Sequence, residues 1–185
     1  MSAIDEFKIV FTGPMGAGKT TAIAAISEVP PVRTEVNNSD RMSHEKESTT
    51  VGFDLGRITL PNGRVVRLYG TPGQARYRFM WNILGAGAAG AIILLDASQP
   101  GAGVQLDQFV DTFAPLVPPG AIVVGVGRTE QPGATNSATF ATRLANRGIL
   151  VPVISVDVRQ ADDVRILVRA LVCILEAQMK HGELA

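Results

Sequence analysis

The stretch GPMGAGKTT, from Gly13 to Thr21, has the residue types and spacing of a loop that holds phosphate groups. Its glycines let the backbone curl so that successive N–H groups point inward at phosphate oxygens. Lys19 can reach terminal phosphates, and the Thr20 hydroxyl can ligate Mg²⁺. The stretch follows the strand-like run FKIVFT and opens a helix, whose N-terminus adds partial positive charge. The residues predicted to line this P-loop are Gly13, Pro14, Met15, Gly16, Ala17, Gly18, Lys19, Thr20 and Thr21.

Two later fragments could respond to a terminal phosphate. Thr50 ends a long polar segment just before a strand, where it could close over Mg²⁺ and the γ-phosphate. About 24 residues further on, in YGTPGQ, Gly73 can offer a backbone N–H to that phosphate and Gln74 can orient an attacking water. We therefore predict Gln74 and Lys19 as catalytic residues, with Thr20 and Thr50 as ligands of Mg²⁺.

Six short β-branched or apolar runs must supply the strands that position these loops: FKIVFT, FDLGRITL, RVVRLYG, AIILLD, AIVVGV and VPVISV. The fully apolar runs suit strands buried on both faces of a parallel sheet. The pair Asn62-Gly63 predicts a tight hairpin, so the second and third strands should be antiparallel. We predict an α/β fold of the P-loop NTPase type. It is a three-layer sandwich with a six-stranded, mostly parallel sheet and one antiparallel edge strand, in a single domain spanning 1–185.

Helical patterns fill the intervals between these runs. Helix starts are predicted at Lys19, near Arg76, near Gly103, after Asn136 and after Ala161. Asn136 and Asp162 are predicted N-caps, and Gly148 is a predicted C-terminal stop. The polar segment 29–48 has no period and is predicted to be a long functional loop.

Composition excludes several classes of partner. Seventeen basic and seventeen acidic residues give zero net charge, so no overall basic field exists to hold nucleic acid. The sequence shows neither a signal-peptide pattern nor a lipidation motif, so we expect a cytoplasmic protein without an intrinsic membrane anchor. The single cysteine, Cys173, lies in an apolar-periodic stretch and is predicted to be buried.

These motifs together resemble the Ras-like small GTPases. TTVGFDL is similar to the end of switch I in the Arf branch, and PGQARYRFMW is similar to its switch II. YGTPGQ is most similar to the bacterial MglA-type GTPases, which carry Pro-Gly-Gln in this place. The resemblance spans Phe7 to about Lys180. It implies GTP and GDP as ligands with Mg²⁺, slow hydrolysis assisted by a GTPase-activating protein, Roadblock/LC7-type partners, and effector binding through the switch regions.

Two positions depart from the family pattern. Gly70 stands where most relatives carry a carboxylate that holds Mg²⁺ through water, which predicts weaker metal dependence. The base-recognition motif N/T-K-x-D is replaced by Gly127-Arg128-Thr129-Glu130. Glu130 could accept hydrogen bonds from guanine, and the Arg128 stem could cover the base.

The loop after the last strand supplies the remaining predicted contacts. Ser155 and Val156 align with the first two residues of the family's S-A-K loop, while Asp157 replaces its lysine. Arg33, Arg41 and Arg76 lie on or beside the switches and could act on the transition state in cis.

Three functions remain open on the sequence. The first is a GTP-hydrolysing switch. The second is a nucleotide-binding scaffold with little or no hydrolysis, suggested by Gly70 and the altered base motif. The third is a small-molecule or nucleoside kinase, which is disfavoured because residues 97–120 contain no arginine or lysine for a phosphate-closing lid.

Overall fold

The structure is a computed structural model that describes residues 6–30, 32–37 and 50–182. Its strands are β1 (Glu6–Thr12), β2 (Val32–Asn37), β3 (Thr50–Thr59), β4 (Val65–Gly70), β5 (Gly90–Asp96), β6 (Ile122–Gly127) and β7 (Val153–Ser155). Its helices are α1 (Lys19–Ile26), α2 (Arg78–Gly85), α3 (Ala102–Phe113), α4 (Ser137–Ala145) and α5 (Ala161–Gly182), with a 3₁₀ turn at Ala75–Tyr77.

The described strands form one sheet in the order β2-β3-β4-β1-β5-β6-β7. Strand β3 is antiparallel to both of its neighbours, and all other neighbouring strands are parallel. Helices α1 and α5 pack together, while α3 packs between α2 and α4. The predicted three-layer α/β fold is therefore confirmed, with helices covering both faces of the sheet.

The sheet carries one strand more than the six predicted. All six predicted strands are present, and β2 lies within the segment 29–48, where a loop was expected. Because β2 pairs with β3, the antiparallel strand β3 is the second strand of the sheet and not its edge. In β2, Val32, Thr34 and Val36 alternate with polar residues, but only two apolar side chains mark this strand within a long, mostly polar segment, so no strand was predicted. Arg41 and His44 lie outside the described residues.

The predicted hairpin turn, the N-cap of α4 and the glycine stop after α4 are confirmed by the structure. Gly63 adopts φ 81° in the turn that makes β3 and β4 antiparallel. The Asn136 side chain accepts a hydrogen bond from the Thr139 N–H and caps α4 as predicted. Gly148 has φ 74° and follows the end of α4 by three residues.

Two predictions on α5 were wrong. The helix begins at Ala161, so Asp162 lies in its first turn and is not its N-cap. Cys173 is exposed, because the apolar stripe of the helix faces the sheet through Val164, Leu167, Val168 and Leu171 instead. Among the described helices, none combines the length with the apolar run that crossing a bilayer needs.

The core positions the functional loops by fixing the sheet edge from which they leave. Every residue of β5 is buried between the helical layers, and burial of one such aliphatic side chain contributes about 1.5–3 kcal/mol. Because β1, β4, β5, β6 and β7 run parallel, their carboxyl ends meet at one edge. Ligands of open α/β sheets bind at that edge, where the strand order reverses.

Candidate nucleotide-binding site

A cavity of about 960 Å³ opens at the carboxyl edge of the sheet. It is lined by the P-loop, by residues around the ends of β4, β5 and β6, and by the loop between β7 and α5. This volume lies at the upper end of the range for small-molecule sites. The predicted residues that line it are Met15, Gly16, Ala17, Gly18, Lys19, Thr20, Thr21, Gly73, Arg128, Glu130, Ser155 and Val156.

The P-loop adopts a backbone that only glycine tolerates at its tightest points. Gly13 has φ 137°, and a Cβ there would lie 2.1 Å from the Leu94 carbonyl oxygen. Gly18 has φ 89°, and a Cβ there would lie 2.6 Å from the Val158 side chain. The loop is therefore held between β5 and the β7–α5 loop, with α1 starting directly behind it.

Lys19 is the buried cation of this loop, with 8% of its surface exposed. Its Nζ donates hydrogen bonds to the carbonyl oxygens of Gly13 and Pro14, both at 2.8 Å. Burial lowers the pKa of Lys19 to about 8, and the nearby Asp54 carboxylate partly offsets that effect. Gly13 and Pro14 thus orient the ammonium group, whose third N–H direction remains for an anion in the cavity.

A carboxylate that the sequence analysis missed stands beside Thr20. The Thr20 hydroxyl donates a 2.5 Å hydrogen bond to Asp54 Oδ2, and Asp54 also lines the cavity. Asp54 lies on β3 directly across from Gly70 on β4. A Cβ at Gly70 would lie 3.0 Å from Asp54 Oδ2 and 3.0 Å from the Ile23 side chain. The Asp54 carboxylate of the neighbouring strand therefore lies beside the space that a side chain at position 70 would enter.

The Pro72-Gly73-Gln74 segment packs directly on the P-loop. A Cβ at Gly73 would lie 2.5 Å from the Met15 nitrogen and 2.8 Å from Lys19 Nζ. This spacing leaves no room for a side chain, and it places the Gly73 backbone against the group expected to hold the terminal phosphates. Any anion bound at Lys19 therefore lies in contact with this segment.

Gln74 is held at both ends of its amide. Its Nε2 contacts the Met15 sulfur at 3.6 Å, and its Oε1 accepts a 2.7 Å hydrogen bond from Arg76 Nε. The Arg76 guanidinium also lies over the Tyr77 ring, 4.8 Å from its centroid. Arg76 is therefore engaged with Gln74 in this arrangement. For Arg33 the structure describes only its place in β2.

The aromatic side chains after Gln74 divide between core and surface. Trp81 is 1% exposed, packs against Phe109 with ring centroids 4.6 Å apart, and donates from Nε1 to the Pro72 carbonyl at 2.6 Å. Phe79 is 57% exposed. Trp81 thus links the Pro72 backbone to α3. One hydrogen bond joins the indole to Pro72, and ring packing joins it to Phe109 of α3.

At the other end of the cavity, Arg128 and Glu130 occupy the β6–α4 loop. Arg128 has φ 57°, an uncommon conformation for a residue with a side chain. Its Nη1 donates to the buried carboxylate of Asp96. Burial raises the pKa of Asp96, but hydrogen bonds from Ser98 and Gln99 and the charge of Arg128 together hold it below its ordinary value. The Arg128 head group is therefore anchored to β5, while Glu130 is exposed at the cavity wall.

The structure places the three remaining predicted residues as follows. Thr50 begins β3, paired with Asn37. Ser155 and Val156 lie at and just after the end of β7, and Val156 N–H donates to the Val126 carbonyl at 2.9 Å. A P-loop that follows a central parallel strand, with this cavity at the sheet edge, defines a P-loop nucleotide-binding protein of the three-layer α/β type.

Comparison with known proteins narrows this class. No family model matches the chain. The Ras-related protein RabC of Dictyostelium discoideum is 23% identical over 97% of this chain and 88% of its own length. An uncharacterized protein of Methanocaldococcus jannaschii is 31% identical over a stretch that covers 51% of this chain. The same stretch covers 54% of that relative's own length. The Arl6 small GTPase of Trypanosoma brucei, solved with the nucleotide analogue GppNp, shares the fold with a TM-score of 0.69 at 13% identity, over 94% of this chain and 99% of its own.

The resemblance to the Ras-like small GTPase superfamily is therefore confirmed in sequence and in fold. The similarity supports a GTP-binding protein of the small-GTPase kind. The assignment to the Arf/MglA-like bacterial branch and a cytoplasmic location both stay predictions.

Proposed function

We propose that residues 1–185 form one G domain, a GTP-binding molecular switch that hydrolyses GTP slowly. The observation that carries this proposal is the close packing of Gly73 on the P-loop, against the backbone of Met15 and the ammonium of Lys19. A γ-phosphate added at Lys19 must displace or bind this segment, whereas a diphosphate leaves it in place. Differential contact with the two nucleotides is the physical requirement of a switch.

The chain's own residues supply most of the chemistry in this proposal. The P-loop N–H groups and Lys19 hold the phosphates and neutralise their charge. The Gly73 N–H binds the γ-phosphate, and the Gln74 amide, already held at the P-loop by Met15, orients the attacking water. Ser155, Val156, Arg128 and Glu130 form the wall around the base.

The residues around Thr20 fit a magnesium ion. A hydroxyl that donates its proton to Asp54 keeps both oxygen lone pairs for a metal, and the charged acceptor makes that oxygen more negative. No group of three or more His, Cys, Asp or Glu side chains that could hold a metal ion occurs among the described residues. This absence suits Mg²⁺, which keeps several waters and takes its other ligands from phosphate. Thr20 and Thr50 would hold the ion as ligands, Asp54 would bind its waters, and the ion would supply positive charge that neutralises the phosphates.

Slow hydrolysis follows from the position of Arg76. Its Nε donates to the Gln74 oxygen, so this guanidinium is already engaged within the switch segment. An arginine supplied by an activating partner accelerates such reactions by about 10³–10⁵-fold. We propose a GTPase-activating partner of the Roadblock/LC7 type and effectors that bind through the switch segments, in a bacterial polarity, motility or signalling module.

The test is an equilibrium titration of GTP, GDP and ATP, each with and without Mg²⁺, followed by calorimetry and by Trp81 fluorescence. The proposal expects guanine-selective binding. It also expects GTP and GDP to give different Trp81 signals, because the indole donates to Pro72, next to the segment that the γ-phosphate contacts. Single-turnover measurement of GTP hydrolysis then gives the intrinsic rate.

A nucleotide-binding scaffold is the second candidate, and Gly127 favours it. At the end of β6, Gly127 has no side chain to contact a base, and only backbone oxygens lie within 4 Å of where its Cβ would be. Equal affinity for GTP and GDP, with identical Trp81 spectra and no turnover, would establish the scaffold and contradict the switch.

A further inference from the structure

The base end of the cavity lacks the usual donors for a purine. It is walled by the β6–α4 loop and the β7–α5 loop. Gly127 has no side chain, and the Arg128 guanidinium is held by the buried carboxylate of Asp96. Gly127 therefore supplies no side-chain donor to the O6 and N7 atoms that distinguish guanine, and the ion pair with Asp96 already engages Nη1 of Arg128.

The backbone of the β7–α5 loop is also engaged. Val156 N–H donates to the Val126 carbonyl at 2.9 Å, which extends the pairing of β6 and β7. Asp157 N–H donates to the Asp163 carboxylate at 2.8 Å, across the first turn of α5. These two amides are used in folding the loop, so a donor for the base must come from other groups that line the cavity.

Arg159 is a side chain that meets this need. It lines the same cavity, and its side chain is 75% exposed. Its Nε and Nη2 donate to the Asp157 carboxylate at 2.8 and 2.7 Å. Asp157 thus occupies one edge of the guanidinium. The end-on edge, formed by Nη1 and the second hydrogen of Nη2, remains available for two parallel hydrogen bonds.

Glu130 lines the same cavity as Arg159. The hydrogen bonds that Arg159 donates to Asp157 raise the pKa of Arg159, and the negative charge of Glu130 adds to this effect. Hydrogen bonds from the side chain and backbone of Arg159 in turn lower the pKa of Asp157 to about 2, so this carboxylate is charged at neutral pH. A fixed guanidinium and an exposed carboxylate therefore face the same end of the cavity.

We propose that Arg159 is a specificity-determining residue that reads the O6 and N7 atoms of guanine, while Glu130 accepts from N1 and N2. This inference rests on the proposed function. Arginine paired end-on with O6 and N7 is the commonest specific contact to guanine, and it discriminates against other bases by about 10- to 100-fold. Adenine presents an amino group where guanine has O6, so it would set a donor against the Arg159 donors. Asp157 acts as the positioning residue for the guanidinium.

The test compares GDP with two analogues on the wild-type protein and on Arg159→Met, which keeps most of the stem. Calorimetry should show wild type binding 7-deaza-GDP, which lacks N7, about fivefold more weakly than GDP. In Arg159→Met the GDP affinity should fall about 10- to 100-fold, and the difference between GDP and 7-deaza-GDP should vanish. IDP, which lacks the N2 amine read by Glu130, should lose the same factor in both proteins.

Arg165→Ala is the matched control, because it removes one arginine from an exposed i,i+3 pair on α5 outside the cavity lining. It should bind all three nucleotides as wild type does. If Arg159 only stabilised its loop, Arg159→Met would weaken GDP and 7-deaza-GDP by equal factors and leave their ratio unchanged, which overturns the proposal. If the wild-type protein binds GDP and 7-deaza-GDP equally well, that result alone overturns the proposal that Arg159 contacts N7. Wild type that binds ADP as well as GDP contradicts the guanine-selective function itself.

Discussion

Replacing Asp54 with asparagine tests whether β3 supplies the carboxylate missing at Gly70. Asparagine has the same shape and can still accept the hydrogen bond from Thr20, so the strand and the P-loop should keep their geometry. The substitution removes only the charge. Its effect should therefore appear when Mg²⁺ is present and disappear when the metal is chelated.

The magnitude follows from how the carboxylate would hold the ion. Asp54 accepts the hydrogen bond of the Thr20 hydroxyl, so we expect it to act on Mg²⁺ through water while Thr20 is the direct ligand. Loss of such an outer-shell partner lowers metal affinity by about 10–100-fold, or about 1.4–2.7 kcal/mol. Removal of the charge also takes away the interaction that raises the pKa of Lys19. Measurement at pH 7, below the Lys19 pKa of about 8, keeps that lysine mostly protonated in wild type.

The assay is a Mg²⁺ titration of the GDP complex at fixed nucleotide concentration, followed by GDP dissociation rate. Asp54→Asn should shift the Mg²⁺ midpoint upward by 10–100-fold. In EDTA the two proteins should release GDP at rates within about threefold of each other, since the metal-linked difference is gone. Asp162→Asn serves as the control, because it removes an exposed carboxylate on α5.

A double variant that exchanges the two residues tests whether the carboxylate acts from either strand. In Asp54→Gly/Gly70→Asp the carboxylate moves to the directly opposed position on β4, and it should recover at least part of the Mg²⁺ affinity that Asp54→Gly alone loses. An unchanged Mg²⁺ midpoint in Asp54→Asn would refute the reasoning. So would a loss of equal size in the presence of EDTA, since that would show damage to the P-loop rather than loss of a metal partner.

Three further substitutions address the switch segment. Gln74→Leu should lower single-turnover GTP hydrolysis about 10²-fold at unchanged GDP affinity, and an unaltered rate would remove Gln74 from the mechanism. Gly73→Ala places a methyl group 2.5 Å from the Met15 nitrogen, so GTP affinity should fall more than GDP affinity in a competition titration; equal losses would contradict the close packing on the P-loop. Trp81→Phe leaves the Pro72 carbonyl without its 2.6 Å donor and should lower the free energy of unfolding in urea by about 1–3 kcal/mol, with a change under about 0.5 kcal/mol counting against that bond.

The sequence predicted features whose cause is local. The hairpin needed only Asn62-Gly63, because a tight turn of this kind demands positive φ, and Gly63 has φ 81°. The P-loop was predictable because its glycines are required by close backbone contacts, such as the 2.1 Å approach at Gly13. Six strands were visible because apolar runs report burial directly.

Features that depend on long-range pairing were not predictable. Asp54 and Gly70 are 16 positions apart, and only the β3–β4 register brings them together. The face of α5 that meets solvent is set by the rotation of the helix against the sheet. The sequence pattern did not give this rotation, so the prediction that Cys173 is buried was wrong. The Arg128–Asp96 pair joins two strand ends, and a loop pattern gave no sign that its guanidinium was occupied.

The glycine at position 70 and the aspartate at position 54 are best understood as one arrangement. A Cβ at position 70 would meet the Asp54 carboxylate and the Ile23 side chain at 3.0 Å each, so the two positions cannot both carry large side chains. Because antiparallel partners lie across from each other, moving a carboxylate between them displaces it by about one strand spacing, roughly 5 Å. Long carboxylate-to-metal contacts through water can absorb part of such a shift. We therefore expect the Asp54 carboxylate to compensate, within the same sheet edge, for the one missing at Gly70. At the base motif, the cross-strand neighbour of Gly127 is Asp96, whose carboxylate is already engaged by Arg128.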